Sequence, residues 1–209
     1  MNLVGARVLV TGASRGIGRA LMPELVARGA EPIGVARGGA EICDVSDREA
    51  VRALYERTGP VDLVINNAAI IHEPAPLWEV PPEEWEQVLR INVLGTVHVL
   101  QQYLPAMNER GRGTVVNLSS GWGRFAEAGQ SPYCASKFAV EALTQSVAAE
   151  VAHGVCVVAL NPGVIATDML SKAFGGDVSS YPTPEETADR FGEFLERLTE
   201  SDNGRSLDL

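Results

Sequence analysis

The feature that most limits the fold of this chain is its regular alternation of short, β-rich apolar runs with longer stretches of helical period. Strands buried on both faces read as continuous apolar runs, and helices between them build βαβ units around a parallel sheet. Arg7 to Thr11 reads as the first strand, followed by a helix over Gly16 to Arg28 in which Pro23 predicts a kink or local adjustment. Pro32 to Ala36 is a second strand, Asp47 to Arg57 a helix and Val61 to Ile65 a third, buried strand. Pro82, suited to a first helical turn, opens a long helical stretch towards Asn108.

Thr114 to Leu118 is the next strand. Ser131-Pro132 supplies an N-cap and a first-turn proline for a helix to about Ala152, and Val155 to Leu160 is another buried strand. Thr183 with Glu186 three residues on has capping-box spacing, so a last helix should run to about Leu198, with Arg205 to Leu209 closing the sheet as a short edge strand. The fold class is therefore α/β: a single domain over residues 1–209 with a doubly wound, mostly parallel sheet flanked by helices. One connection is too short. Only Gly38 to Cys43 separate the second strand from Asp44, whereas a parallel crossover needs a dozen or more residues, which predicts a sheet reduced at its edge between residues 37 and 44.

At 209 residues, with 17 Lys+Arg against 27 Asp+Glu and a net charge of −10, the chain lacks the basic footprint that sequence-independent nucleic-acid binding requires. No apolar run reaches membrane-span length, and Met1 to Arg7 has no signal-peptide core, so a cytoplasmic protein is expected. Cys43, Cys134 and Cys156 are odd in number and far apart, which argues against a disulfide framework and a zinc site, and His72, His98 and His153 are as scattered. All three histidines read as core or surface residues, and no metal is expected.

After the first strand comes Thr11-Gly12-Ala13-Ser14-Arg15-Gly16-Ile17-Gly18. Glycines at 12, 16 and 18 let the backbone turn tightly and approach a pyrophosphate at the positive end of the following helix. A carboxylate at the end of the second strand would accept from a ribose 2′-hydroxyl and repel a 2′-phosphate. Arg37 stands there instead, and Arg15 lies in the loop, which favours NADP(H) over NAD(H).

Tyr133 and Lys137 are four apart on a predicted helix, so they share a face and the ammonium can favour the phenolate. Ser120 ends the preceding strand, where ligands of open α/β sheets bind, and can hydrogen-bond a carbonyl; its neighbour Ser119 is the alternative hydroxyl. Cys134 reads as a small packed residue.

Together these motifs resemble the short-chain dehydrogenase/reductase family over almost the whole chain. Thr11 to Gly18 is similar to the family's Thr-Gly-x-x-x-Gly-x-Gly loop, Asp44-Val45 to its adenine-contacting Asp-Val pair, and Asn66-Asn67-Ala68-Ala69 to its Asn-Asn-Ala-Gly motif. Asn92 resembles the helical asparagine, and Tyr133 with Lys137 the Tyr-x-x-x-Lys pair. Asn161-Pro162-Gly163, with Ile165 and Thr167, is similar to the segment that orients the nicotinamide. The resemblance implies a Rossmann-type domain that holds NADP(H) through Gly12, Ser14, Arg15, Gly16, Ile17, Gly18, Arg37, Asp44, Val45, Asn67, Ala68, Ala69, Lys137, Pro162, Gly163, Ile165 and Thr167. It implies catalysis by Tyr133 as general acid/base, Lys137 lowering its pKa, Ser120 orienting the carbonyl and Asn92 anchoring a water.

The expected activity is hydride transfer between NADP(H) and a carbonyl or alcohol of small or medium size. Two alternatives are a 3-oxoacyl thioester reductase, which needs a basic patch where only Arg124 and Lys172 offer themselves, and a non-catalytic NADP-binding sensor or scaffold. Asp168 to Pro182 reads as a brief substrate lid with flexible Gly175-Gly176 and Ser179-Ser180. Trp122, Phe125 and Met169 are expected to line the pocket, and Arg124 to meet an anionic substrate group. The resemblance implies a homodimer or homotetramer through the Tyr133 helix. Ala135, Ala139, Ala142 and Ala149 would either allow that packing or face the chain's own sheet.

Overall fold

The computed structural model describes residues 1–38 and 41–209. Strands β1 (Arg7–Thr11), β2 (Glu31–Ala36), β3 (Glu41–Ile42), β4 (Leu63–Asn66), β5 (Gly113–Leu118), β6 (Val155–Asn161) and β7 (Ser206–Asp208) form a seven-stranded sheet in the order β3-β2-β1-β4-β5-β6-β7. Every neighbouring pair is parallel. The chain winds outwards in one direction from β1 and in the other from β4, so the carboxyl ends of these two adjacent strands form the switch point at which such sheets bind ligands.

Successive side chains of a strand face opposite sides. Val8 and Val10 of β1 pack with Leu21 and Leu25 of α1 (Gly16–Ala27) and with Phe191 and Leu195 of α7 (Pro184–Arg197). Leu9 points the other way, into a core shared with Val51 and Leu54 of α2 (Arg48–Thr58) and Val99, Tyr103 and Met107 of α4 (Gly95–Arg110). Each fully buried aliphatic side chain contributes about 2 kcal/mol of burial free energy.

Several local expectations are met. Thr183 and Glu186 form the capping box of α7, and the helix expected from Asp47 is α2, which Asp47 precedes and caps through the Glu49 and Ala50 N–H groups. The sheet edge is reduced as expected: β3 is two residues long, paired in parallel as Val35↔Glu41 and Ala36↔Ile42, with no helix among the described residues between it and β2. So short a strand needs no true crossover. Gly39 and Ala40 of that connection lie outside the described residues.

Helix α1 forms where expected, with Pro23 inside it; Pro23 and Arg19, whose carbonyl loses its usual partner, are both exposed to water. Other expectations are corrected. The stretch from Pro82 is divided: α3 (Pro82–Leu89), a wider π-type turn over Arg90–Leu94, then α4. Ser131 is not the N-cap of α5 (Ser131–Glu150); Gln130 precedes the helix, its carbonyl accepts from Cys134 N, and the Ser131 hydroxyl is buried without a partner. The supposed lid loop begins with α6 (Asp168–Phe174), capped by the Thr167 hydroxyl, which accepts from Leu170 N, and ended by Gly175 at φ 68°.

Candidate active site

A cleft of about 440 Å³ crosses the carboxyl ends of the central strands. At β1 the chain turns through Gly12, whose φ of 69° favours glycine, and a Cβ there would come within 2.9 Å of Ala68 Cα. Gly18 lies behind the loop rather than on the cleft, because a Cβ would strike the Gly12 carbonyl and the Asn67 amide. Asn67 fixes this geometry: its Nδ2 donates to Thr11 O (2.8 Å) and Gly12 O (3.2 Å), while Asn67 N and Ala68 N donate to the Thr11 hydroxyl. Asn66 in turn donates to Asn117, which donates to Thr144 on helix α5, so the central strands and that helix are cross-linked.

Of the residues expected to hold a dinucleotide, Gly12, Ser14, Arg15, Gly16, Ile17, Arg37, Val45, Asn67, Ala68, Ala69, Lys137, Pro162, Gly163, Ile165 and Thr167 line the cleft. Asp44 does not line it. Its carboxylate accepts from Ser46 N at 2.9 Å; burial pushes its pKa up, but the Ser46 bonds, with Arg37 and Arg90, hold it below the usual value. Asp44 therefore shapes the turn that presents Val45 to the cleft. Among the described lining residues, Arg15, Arg37 and Lys137 are opposed by the single carboxylate of Asp168, so an acidic protein opens a net positive cleft. That charge, with Arg15 and Arg37 among the lining residues, fits a dinucleotide bearing a 2′-phosphate.

Helix α5 brings Tyr133 and Lys137 to the other end of the cleft, beside Ser120 after β5. Lys137 Nζ lies 5.5 Å from the centre of the Tyr133 ring and donates to the Leu118 carbonyl at 2.7 Å. Burial raises the Tyr133 phenol well above its ordinary range, while the Ser120 hydroxyl pulls it back. Burial also lowers the Lys137 ammonium to about 8, against the opposing charge of Glu141. The sequence pattern suggested that Lys137 would bring the phenol down; burial instead dominates both groups and drives each towards its neutral form. Ser120 Oγ also accepts from Trp122 N at 3.2 Å, whereas the Ser119 hydroxyl is buried without a partner under the Gly123 turn, so Ser120 is the hydroxyl at the phenol.

Asn92 sits in the π-type turn, buried and off the cleft. Its side chain accepts from Ile70 N and donates to Ile70 O, both at 2.9 Å, and donates to Ser136 Oγ at 3.0 Å. The Ser136 hydroxyl donates to Tyr133 O at 2.7 Å, so this amide ties the cleft wall at Ile70 to the turn of α5 carrying Tyr133. Ser136 gave no signal in the sequence beyond lying next to Lys137.

Trp122, Phe125 and Met169 line the substrate end as expected. The structure adds Phe174, packed edge-on against Trp122 with centroids 5.8 Å apart, and Ile71, which clusters with Tyr133 and Ala173. Arg124 is a correction. Its guanidinium donates to both Asp208 carboxylate oxygens (2.9 and 2.8 Å) and to Leu207 O (2.8 Å) and pairs with Glu141, so it secures β7 rather than meeting a substrate anion. Ala135, Ala142 and Ala149 are exposed, beside an exposed Phe138, so they do not face the chain's own sheet. Cys134 is a buried free thiol, as its packing role required.

The family described as short chain dehydrogenase matches residues 40–176. The NADPH-dependent pterin aldehyde reductase of Arabidopsis thaliana is 40% identical, the match covering 99% of this chain and 94% of that protein. The 3-oxoacyl acyl-carrier-protein reductase of Vibrio harveyi is 35% identical over 92% of this chain and 86% of its own. Among solved structures, the gluconate 5-dehydrogenase of Burkholderia cenocepacia in complex with NADP and tartrate superposes with a TM-score of 0.86 at 28% identity, covering 99% of this chain and 94% of that one. The chain belongs to the short chain dehydrogenase family.

Proposed function

We propose that this chain is an NADPH-preferring carbonyl reductase whose proton donor is Tyr133 and whose substrates are aromatic or heteroaromatic aldehydes and ketones. One observation carries the reading: a single cleft joins an arginine-lined end, suited to a 2′-phosphate, to the Ser120, Tyr133 and Lys137 cluster. NADPH, when bound, supplies the hydride.

The chain's own residues supply position and proton. Arg15 and Arg37 pair with the phosphates, and Ser14, Gly16 and Ile17 form the cradle at the start of α1. Ser120 holds the carbonyl oxygen, and Tyr133 gives up its phenolic proton to that oxygen as the alcohol forms. A phenol raised by burial is protonated at neutral pH, the state a proton donor needs. Lys137 replenishes that proton, and Asn92 positions α5 through Ser136 and Ile70.

The aromatic walls at Trp122, Phe125 and Phe174 suit a flat ring, in keeping with the pterin aldehyde named for the Arabidopsis relative. Reduction of an acyl-carrier thioester is disfavoured because Arg124, one of its two expected basic contacts, is engaged with Asp208 and Glu141. The exposed Ala135, Phe138, Ala142 and Ala149 face supports assembly of two or four copies through α5. The test is NADPH consumption against a panel of aldehydes, ketones and quinones, with NADH and the Tyr133→Phe protein alongside. Turnover with NADPH that vanishes in the variant supports the reading; silence across the panel in the native protein overturns it.

A further inference from the structure

Strand β7 ends on Asp208, an exposed residue that does not line the cleft, yet two turns that do line it converge on its carboxylate. From the turn after β5, Arg124 Nη1 donates to both carboxylate oxygens, at 2.9 and 2.8 Å. From the turn after β6, Asn161 Nδ2 donates to Oδ1 at 2.9 Å. The Asn161 amide has one usable orientation, because its own Oδ1 accepts from Gly163 N at 3.1 Å. A flip would turn its NH2 group on the Gly163 N–H and its oxygen on the carboxylate. The Asn161 bond, with Arg124 adding to it, holds the Asp208 carboxyl below its ordinary pKa, so at neutral pH both contacts are charge-assisted.

The two turns leave the sheet side by side. Strands β5 and β6 pair in register to Leu118↔Leu160, and Ser119 N donates to Leu160 O at 2.8 Å. Ser120 and Trp122 then line the cleft from one turn, and Asn161, Pro162 and Gly163 from the other. Packing does not hold the second turn: Gly163, at φ 86°, has nothing within 4 Å of where a Cβ would stand. Its position therefore depends on hydrogen bonds, and Asp208 receives the one that leads out of the turn.

We propose that Asp208 is a positioning residue for hydride transfer: its single carboxylate locks the Ser120 turn, which holds the carbonyl, to the Asn161-Pro162-Gly163 turn, which bounds the space for the nicotinamide beside it. The proposal rests on the reading of the chain as an NADPH-dependent carbonyl reductase and adds a residue to that same site. Misplacing reacting groups by about 1 Å can cost about a hundredfold in rate, whereas an exposed ion pair adds little to stability. Asp208 thus acts on the rate far more than on the fold.

The experiment measures kcat and KM for 4-nitrobenzaldehyde, NADPH affinity and melting temperature in native protein, Asp208→Ala and Asp208→Asn. In the alanine variant kcat should fall about tenfold, with KM and NADPH affinity within about twofold and Tm within about 4 °C of the native values. Asparagine keeps an oxygen for one of the two donors and should recover part of the rate. An unchanged kcat in both variants overturns the proposal, as does a loss of kcat matched by an equal loss of NADPH affinity. A second measurement is independent of turnover. In 15N spectra of the protein without cofactor, Asp208→Ala should move the backbone amides of both Gly163, which donates to Asn161, and Trp122, which donates to Ser120. Movement of both, with no aldehyde reduced by the native protein, supports the lock and counts against the reductase reading alone. Movement of one or neither overturns the lock whatever the turnover.

Discussion

Lys137 Nζ donates to the carbonyl of Leu118 at 2.7 Å, pinning α5 to the end of the strand that leads into Ser119 and Ser120. One bond does not restore the hydration an ammonium loses on burial, and the group is pulled down to about 8. The sign of the pH effect follows. Below about 8 Lys137 is charged in both folded and unfolded chains and the burial penalty is fully present. Between about 8 and the ordinary value of 10.5 the folded chain holds fewer protons, so stability rises with pH. Denaturant unfolding of native protein and Lys137→Met from pH 7 to 10.5 should show the native protein gaining on the variant by on the order of 2–3 kcal/mol. Parallel curves would mean that Lys137 titrates as it does in water.

Tyr133 is the group whose removal separates chemistry from binding. Phenylalanine keeps the ring against Trp122, whose centroid lies 6.0 Å away, and against Ile71 and Ala173, and deletes the hydroxyl that carries the proton. Turnover of any reducible carbonyl should fall by about 10²–10⁴-fold. NADPH affinity, followed by the quenching of protein fluorescence, should stay within about twofold. A variant as active as the native protein would remove Tyr133 from the chemistry.

Much of this was legible before the fold. The glycine loop, the Arg15 and Arg37 pair and the four-residue spacing of Tyr133 and Lys137 are local signals, and strands buried on both faces announce themselves as apolar runs. What stayed hidden depends on partners distant along the chain. Arg124 looks free until Asp208, 84 residues on, meets it. Asn92 gives no hint that Ile70, 22 residues earlier, takes both polar atoms of its amide. Helix α6 was obscured by the glycines that follow it.

Arg37 and Arg15 both line the cleft, and that makes cofactor choice testable. Arg37→Asp removes a guanidinium from the 2′-phosphate and installs an acceptor for a 2′-hydroxyl. A charge-assisted hydrogen bond is worth about 1.5–3 kcal/mol, so the ratio of NADPH to NADH affinity should drop by about 10- to 100-fold. Arg15→Ala should weaken NADPH binding in the same direction. Calorimetric titration of both cofactors measures the ratio, and an unchanged ratio in Arg37→Asp would take Arg37 out of the phosphate site.

The last prediction concerns the support of the Ser120 turn. The turn over Gly121–Gly123 is followed at once by Arg124, whose clamp on Asp208, Leu207 and Glu141 holds it against β7 and α5. Arg124→Ala leaves the Glu141 carboxylate, 9% exposed, with the Ser206 hydroxyl as its remaining direct partner. Stranding a carboxylate at such a site should cost about 1–3 kcal/mol, which in a domain of this size lowers Tm by about 2–10 °C. The exposed half of the clamp behaves differently. Asp208 is held below the ordinary carboxylate range by Asn161 first and Arg124 second, so its contribution is present at neutral pH and fades as pH falls through its folded pKa. Asp208→Asn should therefore narrow its small deficit in acid, whereas Arg124→Ala should also lower kcat severalfold at neutral pH while NADPH affinity holds, because the loosened turn carries Ser120 and not the phosphate cradle. Calorimetric melting and steady-state kinetics on both variants decide it; a loss of NADPH affinity matching the loss of kcat would place the clamp's effect on the whole sheet rather than on the turn.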